Sequence, residues 1–250
     1  MRICLIPLKT EARSPSVNIK TLKDSLTQAM VQKPDLVCFP ECTLTGYLCE
    51  YNDFAKYSEK IPGPATVMIS SLAREHSAFI CAGFIESTPI GTFNTAVLFD
   101  KDGEMVLKHR KVSEKPPFLN GASVDFADTE LGCISILICA DLFDKTAIGL
   151  IAPSVDIIIV PMSRGFDARS PDAERWNKEE KRAYVEAAQA TGKKVIIVNA
   201  LESGTDGPAF GGALIIGKQG RLLAESKHGT DEVLFWDMPG LLANPGLIRK

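Results

Sequence analysis

The sequence lacks the features that mark several large classes of protein. No apolar run approaches the roughly 20 residues that a membrane-spanning helix needs. The N-terminal residues read as a short strand, without the small-residue cleavage pattern of a secretory signal. The net charge is only −3 and the basic residues are scattered, so the composition gives no support for binding to nucleic acid or to a membrane surface. These absences predict a cytoplasmic protein with neither kind of partner.

The cysteine, serine and histidine patterns exclude several kinds of site. The seven cysteines form an odd set with no CxxC pair, so the usual signature of a structural zinc site is missing. In a reducing compartment most cysteines are expected to be small apolar core residues, and Cys4, Cys81 and Cys133 lie inside strand-like runs. No serine stands in a G-x-S-x-G elbow. Only three histidines are present, which leaves few candidates for a histidine base.

The chain does have a regular alternation of strand and helix patterns. With 250 residues, 45% of them apolar, it can bury a large core without a metal or a disulfide. Strand patterns outnumber helix patterns, and some strands are joined by hairpins and others by helices, which predicts an α/β fold whose sheets are each covered by one layer of helix. No linker or low-complexity segment interrupts the pattern, so we expect a single domain over residues 1–250. Helices are predicted at 18–30, 65–76, 146–151 and 172–190, and the main strands at 2–7, 35–39, 79–85, 92–99, 104–108, 133–139, 155–160, 194–200, 212–216, 221–225 and 232–236.

Cys139 is the residue that most strongly indicates chemistry. It ends the strand-like run 133–139, and open α/β sheets bind their ligands at the carboxyl ends of strands. A thiol reacts as the thiolate, so it needs a base and a positive charge nearby. Glu41 and Lys111 each follow a β-rich run and supply both groups. Together the three side chains suit acyl transfer from an amide through a thioester.

Histidine is the alternative base. His76 lies at the end of a predicted helix and His228 in a charged loop, so His109, which borders Lys111, is the one plausible rival to Glu41. A papain-like Cys–His pair would place its histidine in different surroundings. The sequence therefore favours Glu41.

Three blocks of this sequence resemble the nitrilase superfamily, the carbon–nitrogen hydrolases, in the order in which that family has them. The resemblance runs from Met1 to about Asp237. The blocks are Phe39-Pro40-Glu41 with Leu44-Thr45-Gly46-Tyr47, then His109-Arg110-Lys111-Val112, then Ile138-Cys139-Ala140-Asp141. Weaker matches are Phe93-Asn94-Thr95-Ala96, Arg182-Ala183 and Phe210-Gly211-Gly212-Ala213.

The resemblance implies a fold and a set of roles. It implies a four-layer α-β-β-α sandwich that pairs about a two-fold axis into a homodimer or a higher homo-oligomer. It implies Glu41 as general base, Lys111 as the stabiliser of negative charge and Cys139 as nucleophile, with no metal or organic cofactor. Glu114 is the best match for a second glutamate of the family, and the backbone N–H of Ala140 is implied as a second donor to the oxyanion.

Departures from the family pattern bear on the substrate. Ala140 replaces a larger residue that is common after the cysteine, and residues 142–145 differ from the usual stretch, so the pocket wall is altered. Asp141, two residues after the cysteine, resembles amidase-like branches and favours an amide over a nitrile. The predicted reaction is hydrolysis of a small carboxamide or ureido compound.

Two residues are candidates for the rest of the pocket, and two other functions stay open. Arg164 follows a buried strand and can clamp a substrate carboxylate or pair with a loop acid such as Asp167. Tyr47 can close the pocket. An N-carbamoyl amine or amino-acid amidohydrolase is the alternative enzyme, and a catalytically silent binding subunit is the alternative from another class.

Overall fold

The computed structural model describes residues 1–165, 173–202 and 209–238. The strands are β1 Arg2–Leu5, β2 Lys9–Thr10, β3 Leu36–Cys38, β4 Phe79–Thr88, β5 Gly91–Phe99, β6 Met105–Arg110, β7 Phe126–Thr129, β8 Gly132–Ile136, β9 Ile157–Met162, β10 Lys194–Asn199, β11 Leu201–Glu202, β12 Ala213–Ile216, β13 Leu222–Glu225 and β14 Leu234–Asp237. The helices are α1 Pro15–Met30, α2 Tyr51–Tyr57, α3 Pro64–His76, α4 Lys145–Gly149, α5 Ala173–Arg175 and α6 Lys181–Ala190, with a 3-10 turn at Cys139–Phe143 and a π-helical turn at Trp176–Glu180.

Twelve of these strands form two six-stranded sheets. The first has the order β14-β1-β3-β4-β5-β6 and the second the order β13-β12-β10-β9-β8-β7. In each sheet a parallel centre is extended by antiparallel strands, since β3 is parallel to β1 and β4, and β9 is parallel to β8 and β10. The β-branched run Ile157-Ile158-Ile159-Val160 of β9 is typical of a strand that is covered on both faces.

The two-residue period of a strand divides its side chains between two cores. On β1, Ile3 and Leu5 belong to a cluster that also contains Ile134 and Ile159 of the second sheet, so the sheets pack face to face. The alternate residue, Cys4, lies in a different cluster on the outer face of the first sheet.

Helices cover both outer faces. The first sheet is covered by α1 and α3, through side chains such as Leu22 and Ile69. The second is covered by α4 and α6, through Ala147 and Tyr184. The layer order is therefore α-β-β-α, which confirms the fold class expected from the sequence. No helix within the described ranges is long and apolar enough to span a bilayer.

Local chemistry explains where the two long outer helices begin. Both α1 and α3 start at a proline, whose missing N–H costs nothing in the first turn. In α3 the Thr66 hydroxyl also accepts a hydrogen bond from the Gly63 N–H at 2.7 Å. The helix ends at His76, and Ser77, which follows it, adopts the left-handed conformation with φ 51°.

The structure differs from the sequence-based boundaries around the nucleophile candidate. The strand expected to reach Cys139 ends at Ile136, because the Ile138 N–H donates to the Asp141 side chain at 3.0 Å instead of to a neighbouring strand. Cys139 then opens the 3-10 turn. No strand was predicted at β7 and no helix at α2.

Candidate active site

The seven residues singled out from the sequence line one cleft at the edge of the two sheets. Glu41 follows β3 and Lys111 follows β6, and these two strands end at the same edge because β4, β5 and β6 are joined by two antiparallel steps. Cys139 follows β8 of the other sheet. The cleft has a volume of about 330 Å³, and its lining residues are Glu41, Tyr47, Lys111, Ser113, Glu114, Lys115, Cys139, Ala140, Ser163, Arg164 and Gly165.

The Glu41 carboxylate is buried and held on both oxygens. Its Oε1 accepts hydrogen bonds from Asn94 Nδ2 at 2.6 Å and from Lys111 Nζ at 3.0 Å. Its Oε2 accepts from the backbone N–H of Ser163 at 2.7 Å. Burial raises the pKa of Glu41 despite these donors, and the Glu114 charge adds to the rise. A carboxyl with a raised pKa can both take and return a proton near neutral pH.

Glycine at position 83 lets the Glu41 loop reach this place. Gly83 lies on β4 and exchanges backbone hydrogen bonds with Pro40 and Thr43 on either side of Glu41. A Cβ on Gly83 would lie only 2.6 Å from the Cys42 nitrogen and 2.8 Å from the Glu41 Cα. The loop therefore packs directly on the strand, which fixes the Glu41 backbone.

The Lys111 ammonium lies between two carboxylates. Its Nζ donates to Glu41 at 3.0 Å and to Glu114 Oε2 at 2.7 Å. Burial by itself lowers the pKa of Lys111, but the charges of Glu41, Cys139 and Glu114 outweigh it, so the pKa lies above its ordinary value. The lysine is therefore a fixed cation in the cleft.

Glu114 is tied to the same network. Its Oε2 also accepts from Asn94 Nδ2 at 2.8 Å, and its Oε1 accepts from the Tyr47 hydroxyl at 3.0 Å. Asn94 thus shares one amide group between the two glutamates. Tyr47 lies beside the network, with its ring centroid 5.6 Å from Lys111 Nζ.

Cys139 has a backbone conformation that non-glycine residues seldom adopt. Its φ is 46°, in the left-handed region. The turn places the half-buried thiol against the cleft. Burial and the Glu41 charge raise the pKa of Cys139 to about 12, although Lys111, Arg164 and the Ser163 N–H act in the opposite direction. A thiol in these surroundings needs a base before it can react as the thiolate.

Arg164 is the cation at the other side of the cleft. Its guanidinium lies over Phe143, with 4.8 Å from Cζ to the ring centroid, and over Tyr184 at 5.7 Å. Its Nη2 is 3.9 Å from Glu180, which belongs to the π-helical turn. Its buried Nε has no hydrogen-bond partner within the described part of the chain. Asp167, the other expected partner, lies outside the described residues.

No histidine lines the cleft. His109 is wholly buried, and its Nε2 lies 2.9 Å from Asp141 Oδ2. His228 packs on Trp176, with ring centroids 3.4 Å apart, and burial lowers its pKa to about 3. His76 ends α3 on the far side of the first sheet. The Cys–His alternative is therefore without geometric support.

Two residues of the network were not identified as site residues from the sequence. Asn94 was noted only within a short resemblance to the family, because a lone asparagine on a strand gives no signal of its own. Ser163 acts through its backbone N–H, which has no sequence signature. Among the described residues no group of three or more His, Cys, Asp and Glu side chains is arranged to hold a metal ion.

Comparison with known proteins shows the family to which the chain belongs. The carbon-nitrogen hydrolase family model matches residues 2–242. The chain belongs to the carbon–nitrogen hydrolase family. The omega-amidase NIT2 of Mus musculus is 26% identical over 253 residues, which cover 94% of this chain and 87% of the relative. The predicted membership of the nitrilase superfamily is thus confirmed.

Solved structures of carbon–nitrogen hydrolases share the fold. A variant of the amidase from Nesterenkonia sp. AN1, in complex with butyramide, superposes with a TM-score of 0.82 at 20% identity and covers 96% of this chain and 91% of its own. A carbon-nitrogen hydrolase from Helicobacter pylori G27 gives a TM-score of 0.81 at 21% identity, with coverage of 94% and 87%. Another structure of the Nesterenkonia amidase contains the Michael adduct of acrylamide at its active-site cysteine.

Proposed function

We propose that this carbon–nitrogen hydrolase is an amidohydrolase of small carboxamides that works through a thioester on Cys139. The observation that carries the proposal is the convergence of a buried carboxylate, a buried ammonium and a thiol on one cleft. The names of the relatives support an amide substrate, since they include an omega-amidase and an amidase that binds butyramide.

The first half of the reaction forms the thioester. Glu41 takes the proton of the Cys139 thiol as the sulfur attacks the amide carbon, and the carbonyl oxygen becomes an oxyanion. The Lys111 ammonium and the Ala140 N–H stabilise this charge. Collapse of the tetrahedral intermediate breaks the C–N bond, and Glu41 returns its proton to the departing amine. Ammonia or an amine leaves, and the acyl group stays on sulfur.

The second half releases the acid. Glu41, now ionised again, takes a proton from a water molecule that attacks the thioester carbon. The same two donors stabilise the second oxyanion. Its collapse breaks the C–S bond, and the proton on Glu41 passes to the sulfur. One base therefore serves both halves, which suits a carboxyl whose pKa is raised by burial.

Glu114 holds Lys111 in place and sets the charge around Glu41. Because Glu41 must be ionised to accept the thiol proton, activity is lost as the pH falls through its pKa. We expect Glu114→Gln to move this acid limb of kcat/KM to lower pH, since the Glu114 charge raises the pKa of Glu41. The pH profile of kcat/KM measures the shift. A limb that stays in place or moves to higher pH would contradict this coupling.

Arg164 favours a substrate that carries a negative charge away from the amide. Its guanidinium faces the cleft and is held in place by two aromatic rings. A cleft with Cys139 and Arg164 among its lining residues therefore fits an ω-amide of a short acid. The same feature fits an N-carbamoyl amino acid, which is the second candidate substrate. Both predict a preference for acidic compounds.

A substrate panel tests the function and the charge preference together. Ammonia release is measured for neutral amides, ω-amides of dicarboxylic acids, nitriles and N-carbamoyl amino acids, with carbon dioxide as the extra product of the last group. We expect Arg164→Met to raise KM for acidic amides about 10-fold or more while neutral amides change little. The control is Arg182→Met, on the exposed face of α6. No turnover of any compound would favour the silent binding subunit.

A further inference from the structure

Asp141 is a buried carboxylate that the reaction described above does not use. Its side chain is wholly buried and does not line the cleft. Four N–H groups converge on it. Oδ1 accepts from the backbone of Val112 at 3.0 Å and of Ser113 at 2.7 Å, and Oδ2 accepts from the Ile138 backbone at 3.0 Å and from His109 Nε2 at 2.9 Å.

These donors come from the two segments that hold Lys111 and Cys139. Three of them flank Lys111. His109 lies two residues before it, and Val112 and Ser113 directly follow it. Ile138 directly precedes Cys139, and Asp141 itself lies in the turn that Cys139 opens. One carboxylate therefore joins the lysine segment of the first sheet to the cysteine turn of the second.

The two backbone hydrogen bonds of Lys111 itself stay on its own side of the cleft. The Lys111 N–H donates to the Asn94 carbonyl at 2.8 Å, and the Lys111 carbonyl accepts from Gly121 at 2.7 Å. Both fix the lysine backbone relative to its own side of the cleft. The separation between the ammonium and the sulfur also depends on how the two sheets are joined beside the cleft, and the hydrogen bonds of Asp141 form part of that link.

We propose that Asp141 and His109 are positioning residues that set the distance and angle between the Lys111 ammonium and the Cys139 sulfur. The proposal rests on the thioester function of the cleft. It also gives a physical reason for an aspartate two residues after the cysteine, since the side chain contacts the protein and not the substrate.

The chemistry of the side chain supports this role. Both oxygens of a carboxylate accept hydrogen bonds and neither donates one, so both can bind N–H groups. In Asp141→Asn an NH₂ group replaces one of the two oxygens. This group faces two N–H donors and repels at least one of them. Either the cysteine turn or the lysine segment must then move. His109 Nδ1 has no hydrogen-bond partner among the described residues, so the histidine is held through Asp141.

The test compares Asp141→Asn with Asp156→Asn. Asp156 also accepts from a backbone N–H of the nucleophile strand, that of Cys133 at 3.2 Å, but at the end of β8 remote from the cleft. We expect Asp141→Asn to lower kcat about 10- to 100-fold with little change in KM, as small displacements of catalytic groups do. The rate of Cys139 alkylation by acrylamide should fall with it. Asp156→Asn should change neither rate, even where it lowers the melting temperature.

A second pair of variants covers the case in which Asp141→Asn does not fold. The terminal nitrogen of glutamine can occupy the place of His109 Nε2 and donate to Asp141, whereas leucine cannot. We therefore expect His109→Gln to retain most of kcat and His109→Leu to lose about 10-fold. Equal loss in both variants would overturn the proposal, as would a folded Asp141→Asn protein with the kcat and alkylation rate of the parent.

The alkylation rate separates this proposal from the proposed function. It is measured on the whole protein without an amide substrate, and a matched Cys49→Ser background removes the one exposed cysteine among the described residues. If the parent hydrolyses no amide but Asp141→Asn still slows alkylation, the amidase function is wrong and the positioning role stands. If the parent turns over amides and Asp141→Asn slows neither rate, the positioning role is wrong.

Discussion

Replacing Cys139 with serine is expected to leave the fold intact and to reduce kcat for amide hydrolysis by about 10⁴-fold or more. The change exchanges one sulfur for one oxygen, so the packing of the turn is nearly unaltered. A serine hydroxyl is a far weaker acid than a thiol, and the Glu41 carboxylate is too weak a base to activate it. Steady-state ammonia release with a substrate from the panel measures the loss.

Intact mass measurement distinguishes loss of the nucleophile from loss of structure. After rapid acid quenching, the parent should contain a fraction with one acyl group added, and Cys139→Ser should contain none. Cys49→Ser is the matched control, since Cys49 is exposed and does not line the cleft. A Cys139→Ser protein with close to parental turnover would exclude the thioester mechanism.

The α/β class was predictable from the strand and helix patterns, whereas the α-β-β-α order was expected from the resemblance to the family. On β1 and β3 alternate residues face the opposite sheet and the helices, and both sets are apolar. The short elements β7 and α2 were missed for different reasons. Strand β7 has an exposed and partly buried pattern with no apolar run, and α2 is only a seven-residue helix in a segment rich in turn residues.

The site residues that lie in a recognisable local motif were predictable. Glu41 and Lys111 each follow a strand of the first sheet and Cys139 follows a strand of the second, and these strand ends meet at one cleft. The hydrogen bonds among them were not predictable. Asn94 reaches Glu41 across 53 positions of sequence and Ser163 reaches it across 122, and no local pattern encodes such contacts.

The direction in which a side chain points is a second feature that the sequence does not predict. Asp141 and His109 lie within two residues of Cys139 and Lys111, so both were close to the site in sequence. The left-handed backbone at Cys139 turns the chain so that Asp141 points away from the cleft. Arg164 was expected near the cleft, but its approach to Glu180 depends on a π-helical turn that has no sequence signal.

Removing the Lys111 charge is expected to have the second-largest effect. Lys111→Met keeps the apolar stem and deletes the ammonium that stabilises the oxyanion. We expect a loss of transition-state stabilisation of about 3–4 kcal/mol, or about 10²- to 10³-fold in kcat. The ratio of kcat values for parent and variant measures it. A loss smaller than about 10-fold would assign the oxyanion mainly to the Ala140 N–H.

The pH profile of Lys111→Met gives a second, independent result. The lysine charge lowers the pKa of Glu41, and without it two buried carboxylates face each other with no cation between them. The acid limb of kcat/KM should therefore move to higher pH, opposite to the shift expected for Glu114→Gln. Lys108→Met is the matched control, because this lysine lies on β6, the strand that Lys111 follows, and pairs at 3.1 Å with the buried Glu86, outside the cleft. If Lys111→Met and Glu114→Gln move the limb in the same direction, Glu41 is not the group whose ionisation controls the reaction.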